Sequence, residues 1–435
     1  MLKPHIVILG AGFGGTYVAK ELLAHVKQGR IELTIVNSTN YFLFTPLLHE
    51  VATGSLSPTS VAEPLREIFA HTGVRIAQGS VESIDRAHKT IKLSGHHDCV
   101  LTYDYLVIAT GATSNYYNIP GAEKYTYPLK NLMDAARIRS QIIDSFEQAI
   151  FAKDPVERAR LLTFVVVGGG ATGVETAAEL AEFVKGMVKR YYGATKNCDW
   201  DDSRTCKPEE PAIDLIHMGG QVLEMFPESL RMSAEKRLRD LGVVLHFKTS
   251  VTEVTSRDIK LSTGTTIAAG TIIWTAGVKP VVPRFEADQP QLITGRLAVD
   301  EYFRVNSDPH IFALGDAAAY VDRTVLVADP TKTRPLPMLA QVAVRESHTV
   351  ARNIIASIRG KELHDFSYHS KGSMVSVGQW FAIGEIFSFK ISGRFTWWLW
   401  RTTYLFKFAS WKKRIRIVFE WSLRLFYTRD ITKLT

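Results

Sequence analysis

Cysteine is scarce in this chain. Three occur in 435 residues, Cys99, Cys198 and Cys206, which excludes a disulfide framework and suits a reducing compartment. Cys198 and Cys206 are close enough to pair or to share a metal. No histidine or second cysteine pair joins them at metal-site spacing, so free thiols and no metal are expected. No run of 18 apolar residues exists, so no transmembrane helix is expected. Nor is there room for a leader: MLKPHIVILGAG enters a strand pattern at once, so the chain is expected to begin in the cytoplasm of a bacterium or in an already processed form. With 46% hydrophobic and 22% charged residues, the composition is globular and not disordered. The length allows two or three domains. Acid is in deficit, 44 Asp and Glu against 52 Lys and Arg, leaving a net charge of +8. That excess calls for an anionic partner or surface; no nucleic acid is expected.

Glycine, by contrast, falls in two patterned clusters. Residues 5–16 read HIVILGAGFGGT and residues 161–176 read LLTFVVVGGGATGVET. Gly10, Gly12 and Gly15 fit G-x-G-x-x-G, and so do Gly168, Gly170 and Gly173. Each cluster follows an apolar strand-like run and precedes a helix-like pattern. The first glycine permits a tight turn, the second lets the backbone approach a pyrophosphate, and the third lets helix pack close to strand. One such match is weak; two in strand–turn–helix context predict two dinucleotide sites. Two dinucleotides in one chain point to electron transfer, in which a nicotinamide gives hydride and a flavin accepts it.

Further along lie YDYLVIATGA (103–112), TIIWTAGVKP (271–280) and HIFALGDAAAY (310–320). The order GxGxxG, ATG, GxGxxG, LGD resembles the flavoprotein reductases with two dinucleotide domains, of which glutathione reductase is one. The resemblance implies an α/β fold of two Rossmann-like domains, the second inserted in the first. FAD would sit at the N-terminal motif and the GD element, with NAD(P)H at the second motif. Asp316 alone also reads as a helix N-cap. The loop NYFLFTPLLHEVATGSLSP (40–58) has no cysteine, so substrate reduction by thiols is not expected.

That loop, with GGGATGVETAAELAEF, WTAGV and LPMLAQVAVRES, resembles the type II NADH dehydrogenases from residue 4 to about residue 430. These single-subunit enzymes pass electrons from NADH through FAD to membrane quinone without pumping protons. Carried over, the FAD residues are Gly10, Gly12, Phe13, Gly14, Gly15, Asn37, Pro46, Thr110, Gly111, Asp316, Ala317, Gln341 and Lys371. The NAD(P)H residues are Gly168, Gly170, Ala171, Thr172, Gly173, Glu175, His217, Ala276 and Gly277. Glu175 would lie beside flavin and nicotinamide as a catalytic residue. It also reads as a carboxylate on a positive helix terminus, worth a few tenths to about 1 kcal/mol. Ala340-Gln341-Val342-Ala343 would form part of the quinone site, making Gln341 and Arg345 catalytic candidates. Three departures from the family stand out. Asn37 and His217 occupy positions where an acidic residue usually accepts from ribose hydroxyls. Asn37 can still accept one hydrogen bond, so FAD binding should survive, whereas His217 offers no carboxylate to repel a 2′-phosphate, so NADPH is expected beside NADH. Arg345 stands where a glutamine is common. An insert at roughly 190–211 has no functional account, though its acidic residues include candidates for the missing carboxylate.

Residues 394–427 read RFTWWLWRTTYLFKFASWKKRIRIVFEWSLRLFY. At helical spacing Trp397, Trp400, Tyr404 and Phe408 share one face. Lys412, Lys413, Arg416, Glu420 and Arg424 share an arc, with Trp411, Ile415, Val418, Phe419 and Phe426 largely opposite. Arg401 and Arg414 interrupt the apolar faces and can snorkel. Two amphipathic helices of this kind are expected in a membrane interface; the competing reading packs the aromatic face on the protein. The expected domains are 1–115 with 285–365 for FAD, 116–284 for NAD(P)H and 366–435 for membrane association. The chain is expected on the cytoplasmic face of a bacterial membrane as a homodimer. The Pro-rich 329–338 stretch is expected near a quinone entrance. A soluble reductase of a ferredoxin-like protein and a non-enzymatic FAD/NADH-binding regulator remain as alternatives.

Overall fold

The computed structural model describes residues 3–94, 99–192, 211–321, 334–370, 372–408, 410–424, 426–427 and 429–433. Cys198, Cys206, Lys371 and most of the 190–211 insert lie outside the described residues. Among those described, no group of three His, Cys, Asp or Glu is placed to hold a metal. No described helix is long and apolar enough to cross a membrane.

The chain divides into two compact units. The first comprises Met1–Leu43, Glu63–Thr113 and Val278–His369. Its centre is a five-stranded sheet in the order Ile311–Ala313, Tyr105–Ile108, His5–Leu9, Glu32–Asn37, Arg75–Gln78, all parallel. Val7 faces Thr34 on one side and Leu106 on the other. A strand so enclosed must be apolar along its length, and Ile6 to Leu9 are fully buried. A four-stranded sheet of Arg284–Phe285, Ser80–Asp85, Thr90–Ser94 and Cys99–Thr102 completes the unit. Ile84, Ile91 and Phe285 join Val7, Leu106 and Ile108 in one core.

The second unit comprises Phe44–Ala62, Ser114–Gly277 and Ser370–Thr435. It repeats the parallel plan with Tyr127–Pro128, Thr271–Trp274, Thr163–Val167, Ala212–Ile216 and Val243–His246. Val165 faces Asp214 and Ile272, and it packs with Ile216 and Trp274. The Leu132–Phe151 helix starts at a capping box: Asn131 accepts from the Asp134 N–H at 2.9 Å, and the Asp134 carboxylate accepts from the Asn131 N–H at 2.9 Å. An antiparallel sheet of Gly372–Ser376, Ala382–Ile386 and Phe389–Gly393 leads into two helices, Arg394–Lys407 and Trp411–Leu423.

The division groups Phe44–Ala62 and the C-terminal region with the second glycine motif. Side-chain packing is the reason. The Phe44 ring lies 4.4 Å from that of Phe408 and 5.8 Å from that of Tyr404. The Glu420 carboxylate accepts from the Ser57 N–H at 3.0 Å and from the Ser57 and Ser60 hydroxyls at 2.9 and 2.8 Å.

The two C-terminal helices correct the expectation drawn from their sequence. Trp397, Trp400 and Phe408 are buried in the second unit, so the first tryptophan face is a protein core. Arg401 does not snorkel. Its guanidinium lies between the rings of Trp397 and Trp421, 3.9 and 4.4 Å from their centroids, and 3.8 Å from Glu50. Arg414 donates to the Phe408 and Phe406 carbonyls, closing the end of the preceding helix. On the second helix the cationic arc is divided. Lys412 and Arg416 are exposed, Arg416 pairing with Glu420 at 3.0 Å, whereas Lys413 donates to the Thr59 carbonyl and the buried Arg424 side chain reaches Glu179 at 3.0 Å. Trp411, Ile415, Val418 and Phe419 are exposed, as is Phe426 beyond the helix.

Candidate functional site

Each unit carries one glycine turn at the end of its central strand. In the first, Gly10 adopts φ +96°, and an added Cβ would lie 2.3 Å from the Ala109 carbonyl oxygen. A Cβ at Gly15 would lie 1.9 Å from the Gly10 oxygen. The second turn matches it: Gly168 has φ +116°, and a Cβ at Gly173 would lie 1.7 Å from the Gly168 oxygen. Only glycine permits these approaches. The middle positions differ, since a Cβ at Gly12 or Gly170 would meet nothing within 4 Å. Each turn therefore opens on free space at the start of a long helix, Phe13–Lys27 or Ala171–Met187. Neither helix has a side-chain cap or an acidic residue in its first turn. Uncapped N–H groups and an unopposed helix dipole suit a dinucleotide pyrophosphate, so the residues present fit FAD and NADH.

Around the first turn, the Asn37 side chain accepts from the Ala11 N–H at 2.9 Å and donates to the Thr39 carbonyl at 2.9 Å. Its amide thus braces the loop and keeps one acceptor lone pair. Phe13 packs edge-on against Phe42 at 5.1 Å. Thr110 donates to the Val281 carbonyl, and Gly111 follows with φ +71°. Asp316 and Ala317 lie in a short turn that starts at Gly315. Sequence reading missed the residue that fixes this turn. Glu346, 2% exposed, accepts from the Gly315 N–H at 2.6 Å. Burial pushes its carboxyl up to about 8, with Asp316 adding repulsion and the Gly315 N–H and Arg296 opposing. Its only sequence signal is the last letter of AQVAVRE. Gln341 and Arg345 are half-buried in the opening turns of the Ala340–Ile358 helix. Buried Arg296 donates to the Leu336 carbonyl at 2.8 Å, holding the described part of the Pro-rich stretch. Pro46 belongs to the second unit, in the Thr45–Leu47 turn.

Around the second turn, the Gly169 N–H donates to Nδ1 of His217 at 3.2 Å, and Nε2 lies 3.9 Å from the Glu224 carboxylate. Nδ1 must be unprotonated to accept, and burial lowers the imidazole pKa although Glu224 opposes this. Ala276 lies against the turn, its Cα 2.8 Å from where a Cβ at Gly168 would be, and Gly277 follows it beside Tyr117. The Tyr117 hydroxyl donates to the Ala276 carbonyl at 3.3 Å. Ala171 and Thr172 form the first turn of the helix, where the Thr172 carbonyl accepts from Thr176 at 2.6 Å.

The most unusual feature of the second unit is acid on a buried helix face. Glu175, Glu179 and Glu182 are spaced four and three apart, which aligns them. Glu175 is 7% and Glu179 2% exposed. Arg429 reaches Glu179 at 2.7 Å and Glu182 at 3.4 Å. The Gln379 N–H donates to Glu182 at 2.7 Å. Burial alone would raise Glu179, but Arg424 and Arg429 hold its carboxyl down to about 2. Among the described residues, no arginine is paired with Glu175. It accepts from the Ser376 N–H at 3.2 Å and faces Nδ1 of His49 at 3.6 Å. Burial therefore raises its pKa well above the usual carboxylate range, Ser376 opposing and Glu50 and Glu179 reinforcing. Glu50, 1% exposed, accepts from the Trp421 indole N–H at 2.7 Å.

Comparison with known proteins agrees with this geometry. Residues 4–347 match the family model of pyridine nucleotide-disulphide oxidoreductases, and residues 370–430 that of the NDH2 C-terminal domain. The chain is 32% identical over 441 residues to the type II NADH:quinone oxidoreductase Ndh of Mycobacterium tuberculosis, covering 98% of this chain and 89% of the relative. It is 34% identical over 371 residues to the mitochondrial external alternative NAD(P)H-ubiquinone oxidoreductase B3 of Arabidopsis thaliana, covering 81% and 61%. Among solved structures, NDH2 of Plasmodium falciparum in complex with NADH shares the fold, with a TM-score of 0.85 at 23% identity over 99% of this chain and 100% of that one.

Proposed function

We propose, because the chain belongs to the type II NADH:quinone oxidoreductase family, that it passes electrons from NADH through FAD to a quinone without pumping protons. The observation that carries this is the pair of matched glycine turns, one in each unit, each opening on free space at an uncapped helix start. FAD, when bound, accepts hydride and releases electrons singly or in pairs. The residues that would hold it are Gly10 to Gly15, Asn37, Thr110, Gly111, Asp316 and Ala317, with Pro46, Gln341 and Lys371 assigned by family resemblance. Those for NADH are Gly168, Gly170 to Gly173, Glu175, His217, Ala276 and Gly277. Gln341 and Arg345 would meet the quinone. The domain assignment follows, with one dinucleotide in each unit.

Membrane association at the cytoplasmic face of a bacterial membrane belongs to the same proposal. Its support is the exposed row Trp411, Ile415, Val418 and Phe419, with Phe395, Trp398 and Phe406 exposed on the preceding helix. Such a row suits shallow insertion beside a lipid-borne substrate. A homodimer is proposed on family resemblance alone. The test is an absorbance spectrum of the purified protein. A flavin band bleached by NADH and restored by a short-chain quinone supports the reading; a protein without flavin, or one not reoxidised by quinone, overturns it.

A further inference from the structure

Charges taken out of water need opposite charges, and each N–H of a buried guanidinium needs an acceptor. In the second unit both matches fall one short. Arg237 lies 3.3 Å from Glu182, Arg401 lies 3.8 Å from Glu50, and Arg424 and Arg429 lie 3.0 and 2.7 Å from Glu179. Four guanidiniums in this network meet three carboxylates. The neighbouring Glu175 and His49 do not change the balance, because burial favours the neutral form of each. One positive charge is left without a carboxylate among the described residues.

The unmatched donor can be located. Nη1 of Arg424 is buried and has no hydrogen-bond partner among the described residues. Arg424 and Arg429 both line a cavity of about 150 Å³, with Glu182, Gly186 and Tyr427 also in its wall. That volume equals about five waters of liquid, enough for one small tetrahedral oxyanion. Tyr427 is 68% exposed, so the wall reaches solvent. Burial and then repulsion from Arg424 push the Arg429 guanidinium down, and an anion beside the two would relieve that repulsion.

We propose that this cavity binds a phosphate monoanion, free or as the phosphomonoester end of a larger molecule, held by Arg424 and Arg429 and read by Glu182. The site is independent of electron transfer. Guanidinium donors match phosphate oxygens, and one negative charge cancels the unmatched arginine. Glu182 supplies the selectivity. Its Oε1 accepts from the Gln379 N–H at 2.7 Å, and its Oε2 lies 3.4 Å from Arg429. Sulfate and phosphodiesters present only acceptors to that carboxylate and are repelled. A phosphate or phosphomonoester monoanion keeps one O–H, which donates to Glu182. Occupancy ties the segment carrying Arg424 and Arg429 to the Ala171–Met187 helix, so phosphate should stabilise the unit by mass action.

The experiment is equilibrium dialysis of the flavin-loaded full chain with radiolabelled orthophosphate. NAD+ is present at saturation, so that the second glycine turn is filled. Wild type should take up one phosphate per chain saturably, and sulfate should compete about tenfold less well or worse, for want of a proton to share. Arg424→Lys, which keeps the charge and loses Nη1, should weaken uptake. The variant that keeps the test sound if Arg424→Lys fails to fold is Gly186→Leu. A Cβ there meets nothing within 4 Å, and leucine is the better helix former, so the chain should fold while its cavity is filled. Saturable uptake should then vanish. Glu182→Gln should bind sulfate and phosphate alike. No saturable uptake by wild type, or uptake that survives Gly186→Leu, overturns the site. Sulfate competing equally in wild type overturns the role of Glu182. Phosphatidylcholine vesicles carrying phosphatidic acid, a phosphomonoester, distinguish the sources: displacement of the label assigns the site to a lipid, and retention assigns it to free phosphate. Equal displacement by phosphatidylglycerol, a diester, overturns the monoester assignment.

Discussion

His217, which family resemblance assigns to reading the ribose, has its ring already engaged with the Gly169 N–H through Nδ1. Protonation towards pH 6 would remove that acceptor, and burial disfavours it. The imidazole is therefore poorly placed to attract a 2′-phosphate. Among the described residues, the carboxylate within ion-pair distance of it is Glu224, 60% exposed and 3.9 Å from Nε2. Glu224 should contribute the repulsion of NADPH; the insert acids considered for that role lie outside the described residues. Glu224→Gln should raise the ratio of kcat/KM for NADPH over NADH by about tenfold, which is ~1.4 kcal/mol of discrimination. The wild-type ratio should stay flat from pH 6 to 8. A ratio that climbs as pH falls, and loses that slope in His217→Glu, would return the role to the imidazole.

At the scale of elements, the second C-terminal helix, with an exposed apolar row and buried Arg424 just beyond it, decides how membrane binding is tested. Removing everything beyond residue 390 would strip Arg401, Trp421, Arg424 and Arg429 from buried Glu50 and Glu179. Uncompensated buried charge costs about 3–5 kcal/mol, so truncation should unfold the second unit. The informative variant is Trp411→Gln/Ile415→Gln/Phe419→Gln, three side chains at least 60% exposed. It should keep its thermal midpoint within about 2 °C, because exposed substitutions are nearly neutral. Flotation with anionic vesicles should fall at least tenfold, because the inserted apolar area is lost. Undiminished flotation would show that the exposed row is not the lipid face. The Ala340–Ile358 helix is tested in kinetics. Gln341→Leu should slow reoxidation by quinone and spare bleaching by NADH; the opposite pattern contradicts its assignment.

For the whole molecule, stability should vary with pH in two windows of opposite sign. Glu346 titrates near 8 folded and roughly 4.3 unfolded. The native state binds the extra proton between those values, so this contribution is present below about pH 4.3 and lost as pH rises through 8. Glu179 titrates near 2 folded. Its contribution is present above about pH 4.3 and lost as pH falls towards 2. Melting temperatures should therefore decline from pH 5 to 8. Glu346→Gln, whose amide oxygen still accepts from Gly315, should flatten that decline. A wild-type profile flat over this range would contradict the raised carboxyl. Legibility in the sequence follows the range of the forces. Gly10, Gly15, Gly168 and Gly173 could be read from sequence because their turns are set within six residues and the strands on either side. Periodicity at Trp397, Trp400 and Phe408 announced an apolar face, which the sequence assigns to a membrane interface and which protein buries instead. Glu346, Glu224 and His49 stayed hidden, since each depends on a contact or a local turn that no motif encodes.

The arginines that neutralise Glu179 lie 245 and 250 residues after it in the chain. During synthesis, the helix behind the second glycine turn must wait with its acids unpaired until residues 424 and 429 have left the ribosome. Its final packing and the exposed aromatic row of the last helix are then completed together. Nascent chains halted before residue 424 should be cut by protease within the Ala171–Met187 helix, while chains extended past residue 429 should resist; equal protection would show that the arginines are late reinforcement only.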